Sequence, residues 1–245
     1  MLLWIIGFSI LGSIGAVAGA ALMLAFPDNV RKTLVPSLVS YATGTLLGAA
    51  FLGMIPAALK QAQTLPVSAT VLAGMVLFFV LEKLVLWRHC HDIECEVHGR
   101  AGSLLLVGDA FHNFVDGVVI AAAFLTTIPL GIAASLAVVA HEVPQEVGDF
   151  AVLLDNGYGR KRAFILNELS AATTLPGAVA AYFWLGETRK AVPYILALSA
   201  ASFIYIATAD LIPGLHKQTT PAASLRQLVL LLTGIGTIAF FHFRD

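Results

Sequence analysis

Residues 102–124 read GSLLLVGDAFHNFVDGVVIAAAF and residues 130–154 read LGIAASLAVVAHEVPQEVGDFAVLL. Each stretch is long and apolar enough to cross a hydrocarbon core of roughly 30 Å as a helix. Yet together they hold Asp109, His112, Asn113, Asp116, His141, Glu142, Gln145, Glu146 and Asp149. In the first stretch Asp109, His112, Asn113 and Asp116 stand at spacings of three, four and seven, which places all four on one helix face. A carboxylate at the bilayer centre costs roughly 2.5–3.5 kcal/mol even on the lenient insertion scale, so the five acids here would cost roughly 12–18 kcal/mol facing lipid. Neither stretch contains a Lys or Arg to pair them. Both polar faces must therefore turn inward, where a bound cation with water is the simplest partner.

Working outward, the rest of the chain has the same character. Of 245 residues, 58% are hydrophobic and 12% charged, against roughly 25% charged in a typical globular domain. Turn and charge clusters divide the sequence into about eight apolar spans at 2–26, 34–59, 67–87, 102–124, 130–154, 163–185, 193–215 and 225–242. The fold class expected is an all-α integral membrane protein with a single transmembrane domain over 1–245. The run from Leu2 is read as the first span, since it lacks a preceding positive segment and exceeds the roughly 7–15 residues of a signal h-region. Net charge is −1, which gives nucleic acid no purchase; the partners expected are a divalent ion, the bilayer and a second copy of the chain. Alternate loops concentrate Arg31, Lys32, Arg88, Arg100, Arg160, Lys161, Arg162 and Lys217, against Lys60, Arg189, Lys190 and Arg244 on the other side. By the positive-inside rule the first set is cytoplasmic, and both termini lie outside. The glycines of spans one, two and eight read as close helix packing.

Residue types narrow the cation. Imidazole with carboxylate suits zinc, iron, manganese, nickel or cobalt, whereas magnesium and calcium sites are built from oxygen. The pairs His112/Asp116 and His141/Gln145 each put two candidate ligands on one helix face, as in metal sites of bundle cores. Pro144 removes the donor that would serve the carbonyl of Ala140, and irregular backbone at membrane depth is tolerated where it lines a buried site or cavity.

The segments HNFVDG (112–117) and HEVPQEVGDFAVLL (141–154) resemble the paired signatures of the ZIP metal transporters. The ends FFVLEKLVLWRHCH of span three and FIYIATADLIPGLHK of span seven are similar to the corresponding ends in prokaryotic members. The resemblance implies eight helices, with two three-helix repeats flanking helices four and five, which carry one or two metals. Placed by motif, His112, Asn113 and Asp116 form the fourth-helix ligand set, and His141, Glu142 and Gln145 the fifth. Gln145 replaces a His or Glu of many members, and Thr174 replaces a Glu that completes a second site in some. The expectation is one strong site at His112, Asp116, His141 and Glu142. The implied activity is uptake of zinc, with iron(II), manganese and cadmium as other ions such donors accept, in a bacterial inner membrane, with no bound cofactor.

Depth along the spans places Asp109, Glu146, Asp149 and Glu168 toward the cytoplasm, an expected acidic inner pathway below an apolar outer gate. The loop WRHCHDIECEVHG adds His89, Cys90, His91, Cys95 and His98, a tract that could hold a soft metal after release. Three other readings compete with this one. A zinc protease of the HExxH type would carry a second histidine where Gln145 stands, whereas a lipid hydrolase with scattered His and Asp ligands is the alternative enzyme reading, since buried metal can also activate water. A cation-diffusion exporter usually has six spans and a cytosolic domain. A purely structural bundle needs far fewer buried acids.

Overall fold

The computed structural model describes residues 1–89 and 98–242, and among these every regular element is helical. Among the described residues, seven helical stretches are long and apolar enough to span a membrane: Leu2–Leu24, Asn29–Leu59, Thr64–Leu81, Leu105–Thr126, Ile128–Leu154, Arg189–Leu215 and Pro221–Phe241. The expected span at 163–185 is delivered as two shorter helices, α8 (Arg160–Ala171) and α9 (Thr174–Glu187). Its break has a local cause. The hydroxyl of Thr173 donates to the carbonyl of Ser170 at 2.7 Å, and that of Thr174 donates to the carbonyl of Ala171 at 2.8 Å. Such back-bonding competes with the helix ladder. The first span is likewise split, into α1 (Leu2–Gly12) and α2 (Ile14–Leu24), at Ser13, whose hydroxyl donates to the carbonyl of Ser9 at 2.8 Å.

Spans two and seven share a device. The second comprises α3 (Asp28–Gly48), a π-helical turn over Ala49–Met54 and α4 (Ile55–Leu59). The seventh comprises α10 (Val192–Tyr205), a π turn over Ile206–Leu211 and α11 (Ile212–Leu215). Each π turn runs directly into Ile-Pro, at Pro56 and Pro213. A proline lacks the N–H for the ladder and crowds the carbonyl four residues back; a widened turn lets the rod continue. The remaining spans are α5 (Thr64–His89), α6 (His98–Thr126), α7 (Ile128–Asp155) and α12 (Pro221–His242). Pro129 sits in the first turn of α7, where the Thr127 side chain caps the N–H of Leu130 at 3.2 Å, while Pro144 lies inside α7, which remains helical through it.

Two glycine contacts fix the bundle. A Cβ on Gly117 of α6 would lie 2.0 Å from the Thr174 carbonyl oxygen, and one on Gly177 of α9 would lie 2.2 Å from that of Phe114. Helices α3 and α12 meet in the same manner through Gly44 and Gly234. These approaches place backbone on backbone, as in small-residue packing of membrane helices. By contrast the spanning windows of α5 and α12 are only 11% buried, so their apolar flanks form the periphery.

Candidate metal centre

Helix α6 presents Asp109, His112, Asn113 and Asp116 toward α7, which answers with His141, Glu142, Gln145 and Glu146. Four of these converge. His141 Nε2 lies 3.2 Å from Asp116 Oδ2 and 3.2 Å from Glu142 Oε1. His112 Nε2 lies 3.3 Å from Glu142 Oε1, 3.9 Å from Asp116 Oδ2 and 3.2 Å from His141 Nε2. Asp116 and Glu142 are fully buried, His141 nearly so, and His112 keeps 21% side-chain exposure.

The separations are chemically informative. Ligands at about 2.0–2.1 Å from a tetrahedral zinc stand about 3.3 Å apart along the edges of their tetrahedron. Four of the five separations above fall at 3.2–3.3 Å. The tautomer also fits. His141 Nδ1 donates to the carbonyl of Ala137 at 2.9 Å; a carbonyl only accepts, so in the neutral ring Nε2 carries the lone pair. This is the outer-shell arrangement that orients metal-binding histidines. Neither oxygen of Asp116 nor of Glu142 has a hydrogen-bond partner. Buried acceptors facing one another without donors require a cation or protons between them.

A second group adjoins the first through Glu142. One oxygen from each of Asp109, Glu142 and Glu146 lies within 4.8 Å of the others. Asn113 and Gln145, expected among the ligands, donate their amides to Asp109 Oδ1 at 3.0 and 3.2 Å. The amide oxygen of Asn113 accepts from the Thr174 hydroxyl at 3.0 Å. Thr174 thus enters as a holder of Asn113, a role its residue type alone does not disclose. Asp149 and Glu168 are half-buried and belong to neither group. The side chains of His89, Cys90, His91, Cys95 and His98 lie outside the described residues.

The two groups have unlike surroundings. Around the α6–α7 turn lies a closely packed apolar region including Ile120, Phe124, Leu130, Ala134, Val138, Met54 and Phe203, all buried. Phe203 meets the His141 ring edge-on, with centroids 6.0 Å apart. At the opposite end, Glu146 and Asn167 help line a cleft of about 380 Å³ with Val17, Phe150, Arg31 and Arg160.

The model of the ZIP zinc transporter family matches residues 88–242, which include both groups and the helices that carry them. The chain belongs to the ZIP family. Among curated relatives, zinc transporter ZIP13 of Pongo abelii is 34% identical over 225 residues, covering 83% of this chain and 66% of its own. Zinc transporter zipt-7.2 of Caenorhabditis elegans is 28% identical, covering 82% and 57%. Zinc transporter ZIP4 of Homo sapiens is 38% identical over 135 residues, covering 55% and 20%. The chain thus spans two thirds or less of the length of these relatives. As a family member it is an all-α integral membrane protein, in line with the expected fold class.

Proposed function

We propose that this chain carries divalent transition-metal ions, zinc foremost, across a membrane, and that His112, Asp116, His141 and Glu142 bind the ion in transit. The observation that carries this is the convergence of four donors at tetrahedral spacing, three of them buried and His112 partly so, with no hydrogen-bond donor to either carboxylate. Membership of a zinc transporter family and the zinc transporter names of the relatives support the same substrate. Iron(II), manganese and cadmium accept mixed nitrogen and oxygen donors and are the competing ions.

The ion moves inward in this proposal. The packed apolar region between the donors and the α6–α7 turn acts as the outer gate. The cleft beside Glu146 opens at the end marked by Arg31 and Arg160, which the positive-inside rule places in the cytoplasm. Asp109 and Glu146 then follow the four donors on the way in, with Asp149 and Glu168 beyond them. The whole of 1–245 serves as one transport unit in a bacterial inner membrane, with its termini outside, and pairs as a homodimer. A transport role is favoured over hydrolysis because a catalytic metal keeps an open position for water, whereas here four protein donors complete the set.

Uptake into proteoliposomes tests the proposal. Zinc, cadmium, iron(II), manganese and magnesium are offered separately to wild type and His141→Ala. Saturable transition-metal uptake that His141→Ala abolishes is expected. Equal uptake by the two proteins, or none by folded wild type, would overturn it.

A further inference from the structure

Two chain reversals frame the open end of the cleft. The turn from α2 into α3 and the turn from α7 into α8 hold Arg31, Lys32, Arg160, Lys161 and Arg162 against Asp28 and Asp155, so the rim is basic. Arg31 and Arg160 both line the cleft, and Val17, Leu24, Phe150, Leu154 and Phe164 make much of its wall apolar. Glu146 and Leu154 stand eight residues apart on α7, a rise of about 12 Å. The basic rim and the buried carboxylate thus lie at opposite ends. Phe164 is one turn, about 6 Å, deeper along α8 than Arg160 and is 41% exposed, while Ala21 and Ala25 on α2 are exposed as well. The wall is therefore accessible from the side, where lipid chains stand at this depth.

We propose that this cleft binds one anionic phospholipid, its phosphate between Arg31 and Arg160 and one acyl chain along Leu24, Leu154 and Phe164. The planar fork of an arginine matches phosphate oxygens, and basic pockets between membrane helices at the cytoplasmic face recognise such headgroups. Helix α8 starts at Arg160 with no side-chain cap, which leaves first-turn N–H groups for the same oxygens. The volume of about 380 Å³ falls within the roughly 300–1,000 Å³ of small-ligand sites. Charge at the interface with carbon one turn below is the layout of a lipid, whereas a free phosphate has no use for the apolar wall.

The consequence for transport rests on the inward reading proposed above. An ion leaving past Glu146 meets two guanidinium charges at the rim. At a distance of about 10 Å they lower the local concentration of a divalent cation about two- to tenfold, depending on salt. One lipid charge removes half of that repulsion, a gain of about 1.5- to threefold.

Native mass spectrometry of the purified full-length chain titrated with phosphatidylglycerol tests the site directly. Wild type should retain one such lipid, and Arg31→Gln/Arg160→Gln should bind it about tenfold or more weakly. Arg189→Gln/Lys190→Gln removes as much charge from the other side of the bundle and should bind as wild type. Zinc uptake into vesicles of phosphatidylcholine, with or without about 30% phosphatidylglycerol, reads the consequence. A negative surface gathers zinc for every variant, so the proteins are compared with one another. The ratio of rates with and without phosphatidylglycerol should be about 1.5- to threefold larger for wild type and Arg189→Gln/Lys190→Gln than for Arg31→Gln/Arg160→Gln. No lipid retained by wild type, or equal retention by the arginine variant, would overturn the site; equal rate ratios would overturn its part in release. Inorganic phosphate that raises wild-type uptake in phosphatidylcholine vesicles as far as phosphatidylglycerol does would assign the arginines to a free anion and overturn the lipid. If folded wild type takes up no zinc in either vesicle, the transport reading falls, and lipid retention alone decides this one.

Discussion

Substituting Gly117 by Ala tests how much stability the close α6–α9 contact contributes. The added Cβ would lie 2.0 Å from the Thr174 carbonyl oxygen and 2.7 Å from the Ala178 nitrogen. Both are backbone atoms and cannot rotate away. The closest comfortable carbon–oxygen approach is about 3.3 Å, so the helices must part locally by about 1.3 Å. Two hydrogen bonds across this contact would then be lost: Thr173 Oγ1 to the Ala110 carbonyl at 2.5 Å, and Thr174 Oγ1 to Asn113 Oδ1 at 3.0 Å. Overpacking costs about 1–3 kcal/mol and each bond about 1 kcal/mol. Alanine's better helix propensity returns about 1 kcal/mol. The net loss is about 2–4 kcal/mol, a fall in melting temperature of about 4–16 °C at the scale of chains this size. Gly108 on the same helix is the control, because a Cβ there meets nothing within 4 Å, so Gly108→Ala should leave the melt unchanged or raise it. The assay is thermal unfolding of detergent-solubilised protein. A Gly117→Ala melt within about 2 °C of wild type, or an equal drop for Gly108→Ala, would refute the reasoning.

Three further outcomes are expected. Thr174→Val removes the donor that holds Asn113 with little change in shape, so metal affinity in titration calorimetry should fall about tenfold while the melt moves by about 1 kcal/mol or less. Gly234→Ala would bring a Cβ within 2.3 Å of the Tyr41 carbonyl oxygen; since α3 and α12 carry none of the donors, stability should drop as in Gly117→Ala with affinity kept within about threefold. Histidine must shed its proton to offer Nε2, so zinc uptake should decline as pH falls through histidine's ordinary range near 6.5. A rate flat from pH 5 to 8 would count against ligation by His112 and His141.

Much of the fold is legible in the sequence because a bilayer allows few solutions: apolar length fixes a span, and clustered charge marks its ends. What escapes is the fine structure within spans. The break in span six depends on hydroxyls of Thr173 and Thr174 turning back onto their own helix, and such residues lie mid-helix elsewhere without breaking it, as Thr43 does in α3. The two π turns were in principle legible, since Met54-Ile55-Pro56 and Leu211-Ile212-Pro213 sit at matching places in spans two and seven. Proline alone does not dictate the outcome, however: Pro36 and Pro144 lie inside helices that absorb them without a π turn.

The candidate site divides along the same physical line. Helical spacing places His112 with Asp116 and sets Asp109 one turn away, and the cost of buried charge turns both faces inward. Those arguments rank residues by face and leave open which atom meets which across α6 and α7. Asn113 and Gln145 share the face of the donors and carry amide oxygens able to ligate, so residue type makes them ligands. Their amide N–H groups can also donate, and Asp109, wedged between them, is the nearest strong acceptor. An amide that donates to a carboxylate serves an ion better by holding that carboxylate than by competing with it, since a charged oxygen is the stronger ligand. On the proposed reading, Gln145 keeps a place at the centre by holding Asp109 through its amide rather than by meeting the ion itself.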